Sequence, residues 1–168
     1  MHRTYKVQMR RKREGKTDYR FRLKMLRSEL PRAVVRKTNK NVIVQVFEFN
    51  LKGDKVLASA SGFELRKKFG FQGNTDTTPA SYLAGYLAGK RALKNNVSEA
   101  VLDIGFHSPT KGARVFAALK GLLDAGIEIP HQEEKLPDED RIHGKHLKNF
   151  DPNQVEEIKK KIDNGGAV

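Results

Sequence analysis

Residues 33–61, AVVRKTNKNVIVQVFEFNLKGDKVLASAS, decide the fold of this 168-residue chain. Three runs rich in β-branched and aromatic residues occupy 33–37, 42–49 and 55–59, a composition typical of strands. Residues 39–41, Asn-Lys-Asn, tolerate left-handed backbone between the first two runs, and Gly53-Asp54 supplies the second turn. Because both connections are short, we predict three antiparallel strands in residues 33–61.

The sequence after this meander alternates between helix and strand patterns. Residues 62–76 are predicted to form a short helix and a loop, and Thr78-Pro79 an N-cap and first turn of a long helix. Residues 100–104, AVLDI, are apolar except for Asp103, which is typical of a strand buried on both faces. A second helix with an apolar side is predicted to end at Gly126. A helix, a buried strand and a helix after an antiparallel meander predict an α/β sandwich of two or three layers with a mixed sheet.

A basic arm and one more helix precede the sheet. Residues 3–15 repel one another and are expected to be poorly ordered in free solution. Thr17 is the predicted N-cap and Pro31 the stop of a helix whose apolar stripe, predicted to lie on protein, is Tyr19, Leu23, Leu26 and Leu30. The adjacent face, which is predicted to offer cations to phosphates, carries Lys16, Arg20, Lys24 and Arg27.

The pattern loosens from Pro130, and the acidic run at 138–140 predicts a surface tail. A terminal helix is predicted after the N-cap and first-turn pair Asp151-Pro152, with one apolar face formed by Val155, Ile158 and Ile162. We therefore divide the chain into a basic arm with the first helix (1–31), a mixed α/β body (32–129) and a C-terminal tail with a terminal helix (130–168).

The formal charge of +13 is concentrated at one end of the chain. Residues 1–40 hold fifteen Lys and Arg against three acids, a net of +12, whereas residues 41–129 carry +3 and residues 130–168 carry −2. Such an excess predicts a polyanionic partner, and nucleic acid more than a membrane surface. Tyr5, Tyr19 and Phe21 are interleaved with the cations and are candidates for stacking on unpaired bases.

Several classes of protein are disfavoured by composition. The chain has no cysteine, which excludes disulfides, thiolate metal sites and a cysteine nucleophile. No run approaches the roughly 20 apolar residues that cross a bilayer, and the first residues lack the apolar region of a secretory signal. We therefore expect a cytoplasmic protein with no membrane contact and no cofactor.

Three patterns in the sequence are candidate sites of chemistry, and a loop and a group of histidines are the first two. The loop at 105–112 lacks the Walker spacing, although Lys111 and Arg114 at the following helix N-terminus are candidates for binding one RNA phosphate. His131, His143 and His146 lack the fourth ligand that zinc requires.

The carboxylates of Glu48, Asp103 and Asp124 are conceivable as the two-metal cluster of a nuclease. We expect instead that Asp103 accepts hydrogen bonds from the loop after it and that Asp124 pairs with Lys120. No catalytic residue and no metal ligand is predicted.

Nine stretches together resemble one known family over residues 3 to 147. They are YKV (5–7), MRRKRE (9–14), TDY (17–19), PR (31–32), RKTNK (36–40), PASYLAG (79–85), AVLDIG (100–105), VFA (115–117) and DAG (124–126). They are similar to the large-subunit ribosomal protein eighteen family, in its archaeal form.

This resemblance implies a mixed α/β body and a protein that binds 5S rRNA. It also implies anchoring of that RNA in the central protuberance of the large subunit, with large-subunit ribosomal protein five, other proteins of the protuberance and 23S rRNA as partners. The alternative that we keep is a metal-dependent RNA-processing nuclease with a ribonuclease-H-like core.

The family's RNA-contacting positions fall on three segments of this sequence. In the arm they are Arg3, Tyr5, Lys6, Arg10, Arg11, Lys12 and Arg13. In the first helix they are Lys16, Tyr19, Arg20, Arg22, Lys24 and Arg27. In the first hairpin they are Arg32, Arg36, Lys37, Asn39, Lys40, Asn41 and Gln45.

Overall fold

The structure is a computed structural model that describes residues 6–148 and 150–166. The strands in this part of the chain are β1 (Arg32–Lys37), β2 (Val42–Glu48), β3 (Lys55–Ser61) and β4 (Val101–Asp103). The α-helices are α1 (Arg10–Arg13), α2 (Tyr19–Leu26), α3 (Gly62–Lys68), α4 (Thr78–Lys94), α5 (Arg114–Ala125), α6 (Glu139–Ile142) and α7 (Asn153–Lys161).

The four strands form one mixed sheet in the order β3-β2-β1-β4. β1, β2 and β3 are antiparallel neighbours, which confirms the predicted meander, and β4 pairs in parallel with β1. The prediction that the strand at 100–104 is buried on both faces is wrong. β4 lies at the sheet edge with one neighbour, so Val101 and Leu102 are only half-buried.

The core lies between one face of the sheet and the helices α4 and α5. Alternation along β2 turns Val42, Val44 and Val46 inward, and each is at most 1% exposed. α4 packs against β2 and β3, while α5 packs against β1. α4 is buried along most of its length because the sheet, α5 and the C-terminal helices surround it.

Glycines allow the backbones of α4 and α5 to approach closely. A Cβ atom at Gly85 of α4 would overlap the carbonyl oxygen of Ala118, and one at Gly121 of α5 would overlap that of Tyr82. The absence of a side chain at these two glycines therefore brings α4 and α5 into close contact. Gly126 ends α5 with a φ of 109°, as predicted.

Two predicted helix starts are wrong by one residue. α2 is capped by Asp18, whose carboxylate accepts from the N–H groups of Arg20 and Phe21, while the hydroxyl of Thr17 accepts from Arg11 Nε. α4 is capped by Thr77, so Thr78 is already helical. In both cases two neighbouring residues are competent caps, and the sequence does not distinguish between them.

α2 does not bury the predicted apolar stripe. Leu23 is 56% exposed, and the buried residue of the helix is Met25. The helix also ends at Leu26, before Pro31, and Glu29 adopts a φ of 59° in the turn to β1. α2 therefore turns a different side to the sheet, with Arg22 and Met25 toward it.

The C-terminal segment supplies part of the core. Ile142, Val155, Ile158 and Ile162 are each at most 1% exposed, which confirms the apolar face of the terminal helix. The expectation of a surface tail is correct for the acidic run at 138–140 but not for these side chains. The phenol of Tyr86 on α4 donates to the carboxylate of Asp163 at 2.7 Å, which ties the chain end to the body.

No helix within residues 6–148 and 150–166 combines the length and the apolar character that a membrane span requires.

Candidate nucleic-acid interface

A groove of about 660 Å³ separates α2 from the face of the sheet that points away from the core. We call it the sheet groove. Outward-facing side chains of β1 and β2 form its floor, among them Val34, Arg36, Gln45 and Phe47. α2 and the loop after β4 form its walls, and Arg11 and Lys16 of the arm reach it. Arg11 of the arm is held beside the sheet groove by the hydrogen bond from its Nε to Thr17 Oγ1, at 2.9 Å.

A chain of alternating charges crosses the floor of the groove. Arg22 of α2 donates to both carboxylate oxygens of Asp54, at 2.8 and 2.9 Å. Arg32 of β1 joins Asp54 to Asp103 of β4, with 3.2 Å to the Asp103 oxygen. Arg36 binds the same residue through Oδ1 at 2.9 Å and through its carbonyl oxygen at 2.7 Å. The network links α2, the β2–β3 turn, β1 and β4, and so holds the floor of the sheet groove in place.

Asp103 accepts from the N–H of Gly105 at 2.8 Å, so its predicted bond to the following loop is confirmed. The two arginines beside it were not foreseen as its partners. Gly105 has a φ of 61°, and a Cβ there would lie 2.9 Å from the guanidinium carbon of Arg36. This glycine therefore allows the loop to turn closely over Arg36.

Most of the predicted RNA-contacting residues are exposed. The exposed ones are Lys6, Arg10, Arg11, Lys12, Arg13, Lys16, Arg20, Lys24, Arg27, Asn39, Lys40 and Lys111. Those that are half-buried are Tyr19, Arg22, Arg36, Lys37, Gln45 and Arg114. Arg3 and Tyr5 lie outside the described residues. The arm and α2 thus present their cations as one exposed basic surface beside the sheet groove.

Several of the predicted residues are engaged within the protein, as Arg36 is with Asp103. Arg32 is 4% exposed and paired to two carboxylates, and Arg22 is bound to one. Asn41 is 8% exposed, and its Oδ1 accepts from the N–H of Phe63 at 3.2 Å. Arg114 donates to the carbonyl oxygen and the carboxylate of Asp76. These residues support the surface on which the exposed cations lie.

Two exposed phenylalanines line the sheet groove. Phe21 of α2 is 44% exposed and Phe106 of the loop after β4 is 63% exposed. Sequence reasoning found Phe21 but not Phe106. The signal for Phe106 was its place directly after a strand and a glycine, at the edge of the sheet that carries Arg36.

His107 attaches the same loop to the hairpin. Its Nε2 accepts from the backbone N–H of Lys37 at 3.2 Å. Desolvation, and then the positive charges of Lys37, Arg36 and Arg114, hold the pKa of His107 below its ordinary value. The neutral ring that results is the form able to accept this bond, so the loop stays docked at neutral pH.

The other candidates for chemistry do not come together as a site. Asp124 accepts from the Tyr82 hydroxyl at 2.8 Å and pairs with Lys120 at 3.0 Å, as the spacing predicts for the second contact. His143 lies 3.5 Å from a carboxylate oxygen of Glu156. Within residues 6–148 and 150–166, no three His, Asp or Glu side chains are grouped as a metal site would need.

Comparison with known proteins identifies the family of this chain. The family model described as "Ribosomal large subunit proteins 60S L5, and 50S L18" matches residues 3–99 and 94–132. The chain is 56% identical over 146 residues to large ribosomal subunit protein uL18 of Korarchaeum cryptofilum, which covers 87% of this chain and 74% of the relative. It is 54% identical over 143 residues to uL18 of Aeropyrum pernix, with coverage of 85% and 67%.

A third relative extends the match toward the C-terminus. The chain is 50% identical over 159 residues to uL18 of Methanothermobacter thermautotrophicus, which covers 94% of this chain and 82% of the relative. These relatives are named as proteins of the large ribosomal subunit, a class of structural proteins. Their names support the structural RNA-binding protein over the nuclease that the sequence left as an alternative. The chain belongs to the uL18 family of large ribosomal subunit proteins, and it is a structural component of that ribonucleoprotein and not an enzyme.

Proposed function

We propose that this chain binds 5S rRNA through the arm, α2 and the sheet groove, and thereby helps to anchor that RNA in the central protuberance. 23S rRNA and large-subunit ribosomal protein five are the proposed neighbours there. The observation that carries the proposal is the sheet groove itself, a concave site with exposed aromatic rings that lies beside the exposed cations of the arm and α2. The choice of 5S rRNA rests on the resemblance of the motifs in the arm and the hairpin.

The two parts of this surface have different tasks. Exposed cations of α1 and α2 neutralise phosphates, a contribution that does not depend on base sequence and weakens with salt. The sheet groove accepts an unpaired base, which stacks on Phe21 or Phe106 while Arg36 and Gln45 offer polar contacts. The fixed charge network beneath the groove keeps these groups in place before the RNA arrives.

Substitution of Phe106 tests the stacking step. We expect Phe106→Ala to weaken binding to 5S rRNA by about 1–3 kcal/mol, the usual value for loss of one base–aromatic stack. Phe106→Tyr keeps the ring and is expected to bind nearly as the unchanged chain does. Filter binding at fixed salt, with an unrelated RNA of the same length as competitor, gives the affinities.

The matched control is Phe63→Ala. Phe63 is 49% exposed on α3 and does not line the sheet groove. Equal losses of RNA affinity from Phe63→Ala and Phe106→Ala would show that the sheet groove is not part of the RNA interface. Equal affinity of the unchanged chain for 5S rRNA and the competitor would contradict the proposed function as a whole.

A further inference from the structure

A second cleft, of about 390 Å³, lies on the other side of the loop that follows β4. Gly105, Phe106 and His107 of this loop line the sheet groove, whereas Thr110 to Arg114 line the second cleft. The loop is therefore a shared wall. We call the second cleft the α4–α5 cleft, because the N-termini of both helices open into it.

The cleft is strongly basic. Lys37, Lys111, Arg141 and His146 line it. Within the described ranges none of these four side chains forms an ion pair. Asp76, which directly precedes the lining residue Thr77, has its carboxylate bound by Arg114 at 2.9 Å. The remaining cations are left without an internal counter-charge.

The neutral groups of the cleft also favour an anion. The side chain of Thr78 lines the cleft although the residue is only 5% exposed, and its hydroxyl has no hydrogen-bond partner in residues 6–148 and 150–166. α5 begins after Ala113 without a side-chain cap, so the N–H groups of Arg114 and Val115 are uncapped at its start. A hydroxyl without an internal partner, an uncapped helix start and a ring of cations are the kinds of group that bind a phosphate.

We infer that the α4–α5 cleft binds a backbone phosphate of ribosomal RNA, as a contact separate from the sheet groove. Thr78 and the helix start hold the phosphate oxygens, and Lys111, Arg141 and His146 surround them. The inference rests on the proposed RNA-binding function. The cleft is continuous with that surface because the loop after β4 lies between the two cavities. In β1, Arg36 lines the sheet groove and its neighbour Lys37 lines the cleft.

This site assigns a role to the C-terminal segment. Arg141 lies in the last turn of α6 and His146 follows that helix, and Ile142 between them is 1% exposed in the core. Packing of that isoleucine therefore holds both basic side chains against the helix starts. The C-terminal segment is then part of the RNA-binding surface as well as of the core.

Directed cleavage tests whether RNA lies at the cleft. Because the chain lacks cysteine, one cysteine at Lys111→Cys carries an iron chelate that generates hydroxyl radicals. Large subunits assembled with the full chain are expected to show rRNA strand cuts clustered in one backbone segment. A Lys67→Cys probe on α3, which is equally exposed and lies away from both cavities, is the control. No cuts above this control would overturn the inference.

Affinity tests whether the contact is to phosphate. We expect Lys111→Ala with Arg141→Ala to weaken rRNA binding about fivefold to twentyfold near 0.1 M salt and to lower the slope of log K against log salt by about 0.7–0.9, the value for one phosphate contact. Arg66→Ala with Lys67→Ala removes the same charges from α3 and is expected to change both quantities little. Thr78→Val keeps the shape and loses the hydroxyl, and it is expected to weaken binding with an unchanged melting temperature.

The outcomes separate this inference from the proposed function. If the unchanged chain binds 5S rRNA specifically and the cleft variants bind with the same affinity and slope, the cleft is not a phosphate site. If the Lys111→Cys probe cuts 23S rRNA while the chain does not prefer 5S rRNA, the cleft stands and the proposed function fails.

Discussion

Arg32 is a basic residue in the predicted RNA-binding set, but its side chain has a structural role within the protein. Its guanidinium is 5% exposed and lies between the carboxylates of Asp54 and Asp103. Its Nε atom is buried and has no hydrogen-bond partner within the described part of the chain. Removal of one partner from a buried ion network leaves the other charges uncompensated. Arg32 therefore stabilises the floor of the sheet groove from beneath.

Substitution of Arg32 is predicted to destabilise the fold. We expect Arg32→Met to lower the free energy of unfolding by about 3 kcal/mol, because Asp54 and Asp103 lose a shared buried partner. Urea unfolding at neutral pH measures this change. Lys24→Met, which removes an exposed cation, is expected to change stability by less than about 0.5 kcal/mol. Comparable small effects from both would show that the network does not support the fold.

Glu64 gives a prediction for acid stability. The hydrogen bond from Arg91, opposed by desolvation and helped by Lys68, lowers the pKa of Glu64 from 4.5 to about 2. Its stabilising effect is complete above pH 4.5 and is lost as the pH falls from 4.5 toward 2. With allowance for solvent screening, we expect about 1–2 kcal/mol from it.

The measurement is thermal unfolding between pH 6 and pH 2, in steps. Glu64→Gln is expected to be less stable than the unchanged chain at pH 6 and to approach it at low pH, because glutamine does not titrate. A constant difference between the two proteins across this range would exclude an ionised Glu64 as the cause.

At the scale of elements, the contact between α4 and α5 depends on glycine. In an exposed helix, replacement of glycine by alanine adds about 1 kcal/mol of helix stability. At Gly121 the added methyl group would overlap the carbonyl oxygen of Tyr82 and separate the helices. The two effects have opposite signs, so the sign of the result identifies the dominant one.

We expect Gly121→Ala to lower the free energy of unfolding by about 1–3 kcal/mol, the usual loss from an overpacked core. Chemical denaturation gives the value. A more stable variant would mean that α4 and α5 do not approach as closely as the structure has them.

The C-terminal helix makes the second prediction at this scale. Ile158 is 1% exposed among the core residues of α7. We expect Ile158→Ala to lower the free energy of unfolding by about 2–5 kcal/mol through the lost contacts and the cavity left behind. Lys160→Ala on the exposed side of α7 is the control. Near-neutral effects of both would show that α7 is not packed on the body.

Local patterns of the sequence predict where most helices and strands lie. They predict less well which elements pack against one another. The strands of 33–61 are predicted because alternation and turn residues act over short distances. The edge position of β4 is not, since an apolar run looks the same at the edge and in the centre of a sheet. The periodicity of α2 predicts that Leu23 packs on protein, but no local pattern reveals that Asp54 binds Arg22 and so turns that side of the helix to the sheet.

The candidate site likewise has features that the sequence predicts and features that only the fold reveals. Exposed cations of the arm follow directly from charge density, which is a local property. The pairing of Arg32 with Asp103, 71 positions apart, depends on the parallel contact of β1 and β4. Phe106 and Thr78 also gain their places only when the loop after β4 and the start of α4 meet the rest of the fold.

For the whole molecule, charge and stability are located in different regions. Residues 6–16 are all exposed and contribute no side chain to the core, whereas the body and the C-terminal segment hold the buried residues. Removal of residues 1–16 should therefore leave the fold intact and reduce only the attraction for RNA. This separation makes the central claim testable with one deletion.

The decisive measurement is the salt dependence of 5S rRNA binding by the full chain and by residues 17–168. Each lost phosphate contact is expected to lower the slope of log K against log salt by about 0.7–0.9. Residues 1–16 hold seven Lys and Arg. If about four to six of them contact phosphates, the slope falls by about three to five. An unchanged slope and affinity, with an unchanged melting temperature, would contradict the account that the basic arm holds ribosomal RNA.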